Sequence, residues 1–506
     1  MQKKLSQIAR GAAVISGATF ISRVLGFVRD VVLAFALGAG PLADAFFVAF
    51  RIPNLLRRLF AEGSLTMAFV PVFTDTRQHQ GLQEAFALAR STLAWLLLVL
   101  GGLSLLALAG AKPLTMLVAP GFIQDQELFQ LTTDLVRICF PYIIFISGMA
   151  LCMGVLNSLQ HFLAPALAPA LLNVVLILGA LLGLAWGWSL PYVLAWGVLA
   201  AGLAQLLFQL PFMARQGFVW RGAWSWRHPG VRRIGLLMLP TVLGAAVYQI
   251  NILVNTMLAS LLVQGSISYL YYADRLVQFP LGVFGVALST AALPSLSSLV
   301  SAGREREFTQ TLNMTLGLNL FISLPAAAGL IGLAEPLIQT LFARGEFGEP
   351  AVAATAWALV GYSLGLPAFC CVRSLVSAFY ALQDTKTPVL VASLCLVLNI
   401  CLGLLLMQFI AHTGLALAVA LSSWANILLL GYFLGRKKGT WFLLEGKLWG
   451  MTGLSLALGL GTFWTSSWGW PSLVLIPVWA GAYLLLALAL GVPEARLLKR
   501  SLLRRD

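Results

Sequence analysis

Arg23, Arg29, Asp30, Asp44, Arg51, Arg57, Arg58 and Glu62 stand inside the stretch 21–73, which is otherwise apolar enough to cross a bilayer twice. A charge at the centre of an inserted helix costs about 2.5–3.5 kcal/mol, so such residues face a partner or a water-filled cavity. The surplus of arginine points to an anion as what enters. Asp44, Arg51 and Arg58 are spaced by seven and share one helix face within about 40°. Gly26 and Pro53 mark places where these helices can bend. Later in the chain Asp274 and Arg275 close the run Tyr271-Tyr272-Ala273-Asp274-Arg275. A cavity lined by Arg23, Arg29 and Arg275, with Asp44 and Asp274 as partners, suits a phosphate or diphosphate, because guanidinium forks grip phosphate oxygens in pairs. Arg373 is a further cavity candidate, ahead of Arg137. The bland alternative is that these charges pair among themselves or snorkel to the interface. Asn251 and Asn255 share a face and suit either a cation or an interhelical hydrogen bond.

The elements that position these residues follow from composition. The chain has 506 residues, 60% hydrophobic and only 10% charged, with a mean hydropathy of +0.90. That leaves too little polar surface for a soluble protein of this length. Apolar runs of about 20 residues match helices crossing a core of about 30 Å, not the short alternating strands of a barrel. The fold class is therefore an all-α polytopic membrane protein. The basic start is followed by a long charged segment without a small-residue cleavage site, so it reads as a retained first helix. The six cysteines lie in or beside apolar runs without C-x-x-C spacing and read as buried small hydrophobes, with disulfide and metal roles remote.

Fourteen transmembrane helices are expected, at 11–38, 42–74, 84–110, 127–158, 162–186, 190–214, 234–263, 268–299, 307–334, 351–381, 387–409, 412–435, 448–466 and 471–491. Lys and Arg collect in alternate loops, with Arg215, Arg221, Arg227, Arg232 and Arg233 between the sixth and seventh helices. By the positive-inside rule both termini are cytoplasmic. The +14 net charge is thus spread through short loops as a topology signal, with attraction to anionic membrane lipid as a secondary effect and no nucleic acid implied.

The chain also repeats. Leu65-Thr66-Met67-Ala68-Phe69-Val70-Pro71 lines up with Leu288-Ser289-Thr290-Ala291-Ala292-Leu293-Pro294 at an offset of 223. The same offset pairs Pro113-Leu114 with Pro336-Leu337, and Leu159-Gln160 with Leu382-Gln383. With small insertions, Ala43-Asp44 matches Ala273-Asp274. The expected organisation is an N-terminal lobe at 1–220, a C-terminal lobe at 221–440, and two extra helices with a basic tail at 441–506. Six helices per copy is an even number, which puts the pseudo-two-fold axis along the membrane normal, the geometry of an alternating-access transporter.

Enzymatic readings find little support. The four histidines lack metal-ligand spacing, and no G-x-S-x-G, P-loop or H-E-x-x-H occurs, so neither catalytic nor metal residues are assigned. Many of the fifteen tryptophans cluster near helix ends as an interfacial belt.

The runs Gly26-Phe27-Val28-Arg29-Asp30, Ala43-Asp44-Ala45-Phe46, Arg51-Ile52-Pro53-Asn54-Leu55-Leu56-Arg57-Arg58-Leu59-Phe60-Ala61-Glu62-Gly63, Pro71-Val72-Phe73 and Tyr271-Tyr272-Ala273-Asp274-Arg275-Leu276 resemble the signature of the MurJ (MviN) lipid II flippase family. That family belongs to the multidrug/oligosaccharidyl-lipid/polysaccharide exporter superfamily, with a core of twelve helices in two lobes. The resemblance implies translocation of undecaprenyl-diphosphate-linked disaccharide-pentapeptide from the cytoplasmic to the periplasmic leaflet of the bacterial inner membrane, for peptidoglycan synthesis. It implies diphosphate contacts at Arg23, Arg29 and Arg275, functional requirements at Asp44, Arg57 and Arg58, and a lipid-tail groove at the extra helical pair. Lipid II and membrane lipids are the partners expected, with the cell-wall synthesis machinery a further candidate. No cofactor is expected; a monovalent cation or the membrane potential is the candidate for coupling, with no site assigned. The main rival is a flippase for another polyprenyl-linked glycan. A drug/cation antiporter fits less well, because organic cations favour an acidic cavity. A non-transporting scaffold would not need intramembrane arginines, and a membrane glycosyltransferase would need catalytic carboxylates that the sequence does not cluster.

Overall fold

Every regular element among the described residues is helical. The computed structural model describes residues 2–58, 64–438, 447–466, 468 and 470–497. Glu62 and the tail arginines beyond 497 lie outside them. The first unit comprises Met1–Gly265 together with Arg344–Glu346. Its helices are α1 (Gln2–Leu37), α2 (Pro41–Leu56), α3 (Leu65–Gln80), α4 (Leu82–Ala109), α5 (Ala111–Val118), α6 (Gln126–Cys139), α7 (Tyr142–Ser158), α8 (Leu163–Trp186), α9 (Leu190–Arg215) and α10 (Pro229–Ser260). Proline opens α2 and α10, where its missing N–H costs nothing. Asp125 caps α6 by accepting from Leu128 N–H at 3.0 Å.

The second unit comprises Ser266–Ala343 and Phe347–Asp506. It holds α11 (Ser266–Pro280), α12 (Val286–Ser301), α13 (Glu305–Gly332), α14 (Ala334–Phe342), α15 (Glu349–Ser363), α16 (Leu366–Ala381), α17 (Lys386–Lys438), α18 (Lys447–Ser466) and α19 (Ser472–Ala489). Helix α17 is two helices joined at a break, Ile410 at φ −131° and Ala411 at φ 46°, between the runs read from sequence as 387–409 and 412–435.

Among the described residues nine helices are long and apolar enough to cross a membrane, or ten if the bent pair Pro229–Val242 and Ala246–Ser260, which meet at 54°, counts as one span. The fourteen expected crossings also include α1, the pair α2 and α3, and α18, which fall outside that set, and they count as two the single span Lys386–Lys437 that holds both halves of α17. The short amphipathic helices α5 and α14 were not foreseen; they occupy stretches read as loops.

The internal repeat shows in the register of the two units. Shifted by 223, the start of α4 falls on that of α13, α5 on α14, α6 on α15 and α8 on α17. Helices α7 and α16 both end through a non-glycine residue in the left-handed region, Gln160 at φ 62° and Gln383 at φ 58°. In each case the next residue's N–H bonds back five residues, His161 to Leu156 and Asp384 to Phe379, as in a Schellman close. The cores correspond position by position. Buried Phe73, Ala85, Ala89, Cys152 and Leu156 in the first unit match buried Leu296, Phe308, Leu312, Leu375 and Phe379 in the second. Between lipid-facing helices this packing depends on small residues and close fit rather than water exclusion: a Cβ on Gly154 would stand 2.9 Å from the Phe69 ring.

Three features depart from the expected organisation. Helix α10 packs against α3, α4 and α5 and belongs to the first unit, so the division falls at Gly265 rather than at 220. Helices α18 and α19 form no separate body. They join the second unit along α13, where Phe321 meets Tyr483 at 5.2 Å and Gly332 lies so close to Thr462 that a Cβ there would sit 2.2 Å from its hydroxyl. The match of Ala43-Asp44 with Ala273-Asp274 slips by about two turns: in the 223 register, Asp274 falls opposite Arg51. Five of the cysteines are buried and Cys401 is exposed; all six are free thiols.

Candidate functional site

In the first unit Arg29 and Asp30 form an ion pair on α1. Both are buried, at 8% and 2% exposure. Arg29 donates through Nε and Nη2 to Asp30 Oδ1 at 3.0 and 2.6 Å, and through Nη1 to Asn173 Oδ1 at 3.0 Å. Asn173 on α8 donates in turn to Ser22 O at 3.0 Å. A Cβ on Gly26 would meet the Asn173 amide at 3.6 Å, an ordinary contact, so α1 and α8 pack closely here without requiring a glycine. Consecutive helical residues point in different directions, so long side chains must fold back to meet. The pair is therefore held by burial and by Asn173, 144 residues away in the chain. A buried pair of this kind is costly to break from one side, about 3–5 kcal/mol, because the remaining charge keeps its desolvation penalty without its partner. Arg29, expected on a cavity lining, is thus engaged by Asp30 and Asn173 in this structure.

Arg23, nearly two turns earlier on α1, is exposed and makes no side-chain hydrogen bond among the described residues. Asp44 is 1% exposed in the first turn of α2, and its Oδ2 accepts from Gly265 N–H at 2.6 Å. A carboxylate in the first turn is also favoured by the helix dipole. Arg57 donates Nε and Nη2 to Asn54 Oδ1 at 3.0 and 2.8 Å, across one turn of its own helix. Arg51, Arg57 and Arg58 are all half-buried. The backbone at Arg57 and Arg58 is π-helical, as it is 223 residues later through Leu281–Gly285. Such turns leave carbonyls less regularly paired and are frequent where helices do work.

In the second unit Arg275 is half-buried on α11, donating Nη2 to the Tyr271 hydroxyl at 2.9 Å with its guanidinium 4.6 Å from the Tyr271 ring centre. Stacking and hydrogen bonding by one tyrosine orient the fork. Asp274 accepts from Gln278 one turn on. Arg373 on α16 is exposed and, among the described residues, makes no side-chain hydrogen bond. Asn255 donates to Asn251 Oδ1 at 2.9 Å along α10. Arg137 pairs with Asp134 at 2.9 Å.

The residues missed from sequence are the partners: Asn54, Tyr271, Gln278 and Asn173. Three stand at i±3 or i±4 from the charge they serve and were findable by helical spacing. Asn173 was not, because its relation to Arg29 exists only through the packing of α1 on α8.

The loop at the basic end of the second unit is held by a stronger ion pair. Asp384 accepts from Lys386 and Thr387 N–H at 3.1 and 3.0 Å, from the Thr387 hydroxyl at 2.6 Å, and from Lys437 Nζ. Burial acts to raise its carboxyl, but the Lys437 and Thr387 hydrogen bonds together outweigh it and hold Asp384 at about 2. In the first unit Arg233 donates to Asp75 Oδ2 at 2.6 Å and holds that carboxyl below its ordinary value.

The family described as "Lipid II flippase MurJ" matches residues 33–486. The "Probable lipid II flippase MurJ" of Vibrio cholerae is 39% identical over 96% of this chain and 97% of its own length. The "Lipid II flippase MurJ" of Burkholderia cenocepacia is 39% identical over 85% and 84%. The solved structure "Lipid II flippase MurJ, inward closed conformation" superposes with a TM-score of 0.79 at 26% identity, covering 97% of this chain and all of the other. An inward-facing multidrug resistance MATE family transporter of the MOP superfamily shares the fold at a TM-score of 0.67 and 14% identity, over 84% of this chain and 98% of its own. Near-complete coverage at such identity, on an all-helical membrane scaffold with buried and oriented arginines, places this chain in the lipid II flippase MurJ family.

Proposed function

We propose that this protein is a lipid II flippase. It moves undecaprenyl-diphosphate-linked disaccharide-pentapeptide from the cytoplasmic to the periplasmic leaflet of the bacterial inner membrane by alternating access, with both termini cytoplasmic. The observation that carries this reading is the 39% identity to a flippase relative over 96% of the chain. Chemically, a diphosphate leaving water must exchange its hydration for fixed donors, and guanidinium forks supply them in pairs. Arg23 is the donor in the first unit that stands ready, since no side chain among the described residues holds it. Arg29 becomes a donor by exchanging the Asp30 carboxylate for a phosphate oxygen. That swap keeps the buried guanidinium paired and ties substrate binding to a rearrangement of α1. In the second unit the oriented donor is Arg275, with Arg373 as an outer contact. Asp44, Arg57, Arg58 and Asp274 set the conformation of the helices that carry these donors. The reaction forms and breaks no covalent bond, in keeping with a transporter rather than an enzyme.

The test is complementation of a flippase-depleted strain, paired with a leaflet-resolved lipid II assay on the reconstituted protein. Wild type should restore growth and move lipid II, while Arg23→Ala and Arg275→Ala insert normally and do neither. Normal flipping by a well-expressed Arg23→Ala, Arg275→Ala double variant would remove these two arginines as diphosphate donors. Growth rescue without lipid II movement would point to another polyprenyl-linked glycan.

A further inference from the structure

The segment between α9 and α10 is irregular, basic and rich in tryptophan. After α9 closes through Gly217 at φ 83°, Phe218 is buried against the Phe86 ring at 5.2 Å and ties the segment to the first unit's core. From there the chain runs without helix along α4. Arg90 donates to Val219 O and Ala223 O at 2.9 and 2.8 Å, Ser91 Oγ accepts from Ser225 N–H at 2.9 Å, and Trp95 Nε1 donates to Trp226 O at 2.9 Å. Irregular backbone at membrane depth must find such partners. The depth follows from α4 itself: Arg90 is its last charged residue, and the uncharged stretch from there to Ala109 spans about 28 Å, the thickness of a hydrocarbon core. The partners at Arg90, Ser91 and Trp95 therefore set the segment at the boundary between headgroups and acyl chains.

Three indoles face outward from this boundary. Trp220, Trp224 and Trp226 are 41%, 49% and 48% exposed, with Trp224 and Trp226 in edge-to-face contact at 4.8 Å. Arg221 and Arg227 lie between and beside them, both exposed, and no carboxylate pairs with either among the described residues. The run 216–228 contains no acidic residue. Indoles prefer the interface, where one edge is apolar and the other wet, and unpaired arginines at that level attract phosphate.

We propose that the 216–228 segment is a binding site for anionic phospholipid headgroups, with the tryptophans seated between acyl chains and headgroups and Arg221 and Arg227 on the lipid phosphates. It anchors this end of α4 at one face of the bilayer and makes the seating of the segment sensitive to anionic lipid content.

The test uses the full chain reconstituted in phosphatidylcholine bilayers with and without phosphatidylglycerol. A spin label at Val219→Cys, in a Cys401→Ala background, should be relaxed by dissolved oxygen more than by an aqueous nickel chelate, and more so with phosphatidylglycerol present. Native mass spectrometry should show phosphatidylglycerol retained by wild type, with affinity falling about fivefold for each arginine removed in Arg221→Gln, Arg227→Gln. High salt should weaken the wild-type interaction and change the double variant's little. Both substitutions are at exposed positions, and an unchanged thermal transition in phosphatidylcholine will confirm that the variant folds. Label exposure to the nickel chelate in both bilayers, or unchanged retention by the double variant, would overturn the proposal. Displacement of phosphatidylglycerol from this segment by undecaprenyl diphosphate would overturn it too, by assigning the site to the substrate.

Discussion

The Arg29–Asp30 pair makes a prediction that separates structure from transport. Removing Arg29 alone leaves Asp30, 2% exposed, as a buried carboxylate without its guanidinium. The expected loss is about 3–5 kcal/mol, and removing Asp30 alone should cost a similar amount. Replacing both, as in Arg29→Met with Asp30→Leu, removes both charges and orphans the Asn173 Oδ1 that Arg29 Nη1 now serves. One unsatisfied buried acceptor costs about 1–3 kcal/mol. The double variant should therefore be more stable than either single variant. The assay is a double-mutant cycle read by thermal unfolding in detergent, alongside abundance in the membrane. Additive single effects, or single effects under about 1 kcal/mol, would refute the buried-pair reasoning. The same double variant also tests the exchange of Asp30 for phosphate: a stable, well-inserted protein that does not flip lipid II means that Arg29 is needed for more than folding. A stable variant that flips normally confines Arg29 to a structural role and leaves the diphosphate to other donors.

Other outcomes follow from particular contacts. Arg275→Lys should retain charge but lose the fork held by the Tyr271 hydroxyl, giving a flipping rate between wild type and Arg275→Ala; equal rates for Lys and Arg would discount fork geometry. Gly121→Ala should destabilise the first unit by more than 1 kcal/mol, because its Cβ would fall 1.8 Å from Ser260 O; a thermal transition within a degree of wild type would show that the backbone shifts freely there. Asp384 has a folded pKa of about 2, below its ordinary value of about 4, so its contribution is complete above about pH 4 and is lost as pH falls through 2. Asp384→Asn should cost about 1–2 kcal/mol at neutral pH, allowing for screening at the half-exposed Lys437, and should flatten the acid limb of the stability profile; an unchanged acid limb would assign that limb to other carboxylates.

Helix positions in this chain were legible because the bilayer imposes length: runs of about 20 apolar residues, and a break near 410, needed no tertiary information. The repeat was legible for the same reason that Gln160 and Gln383 close their helices alike, since local backbone chemistry is copied with the sequence. The choice of arginine over lysine told what sort of ligand the charges suit, and spacing could have supplied Tyr271, Gln278 and Asn54 as their neighbours. What the sequence could not decide was which charges are already spoken for. Arg29 and Asp30 are adjacent in the chain and diverge on an ideal helix; burial beneath α8 and the amide of Asn173 bring them together. The assignment of α10 to the first unit, and the course of 216–228 along α4, likewise rest on long-range packing. Periodicity fixes which face of a helix is apolar, but in a membrane nearly every face is apolar. Only the close fit of particular small and large side chains then selects the neighbour.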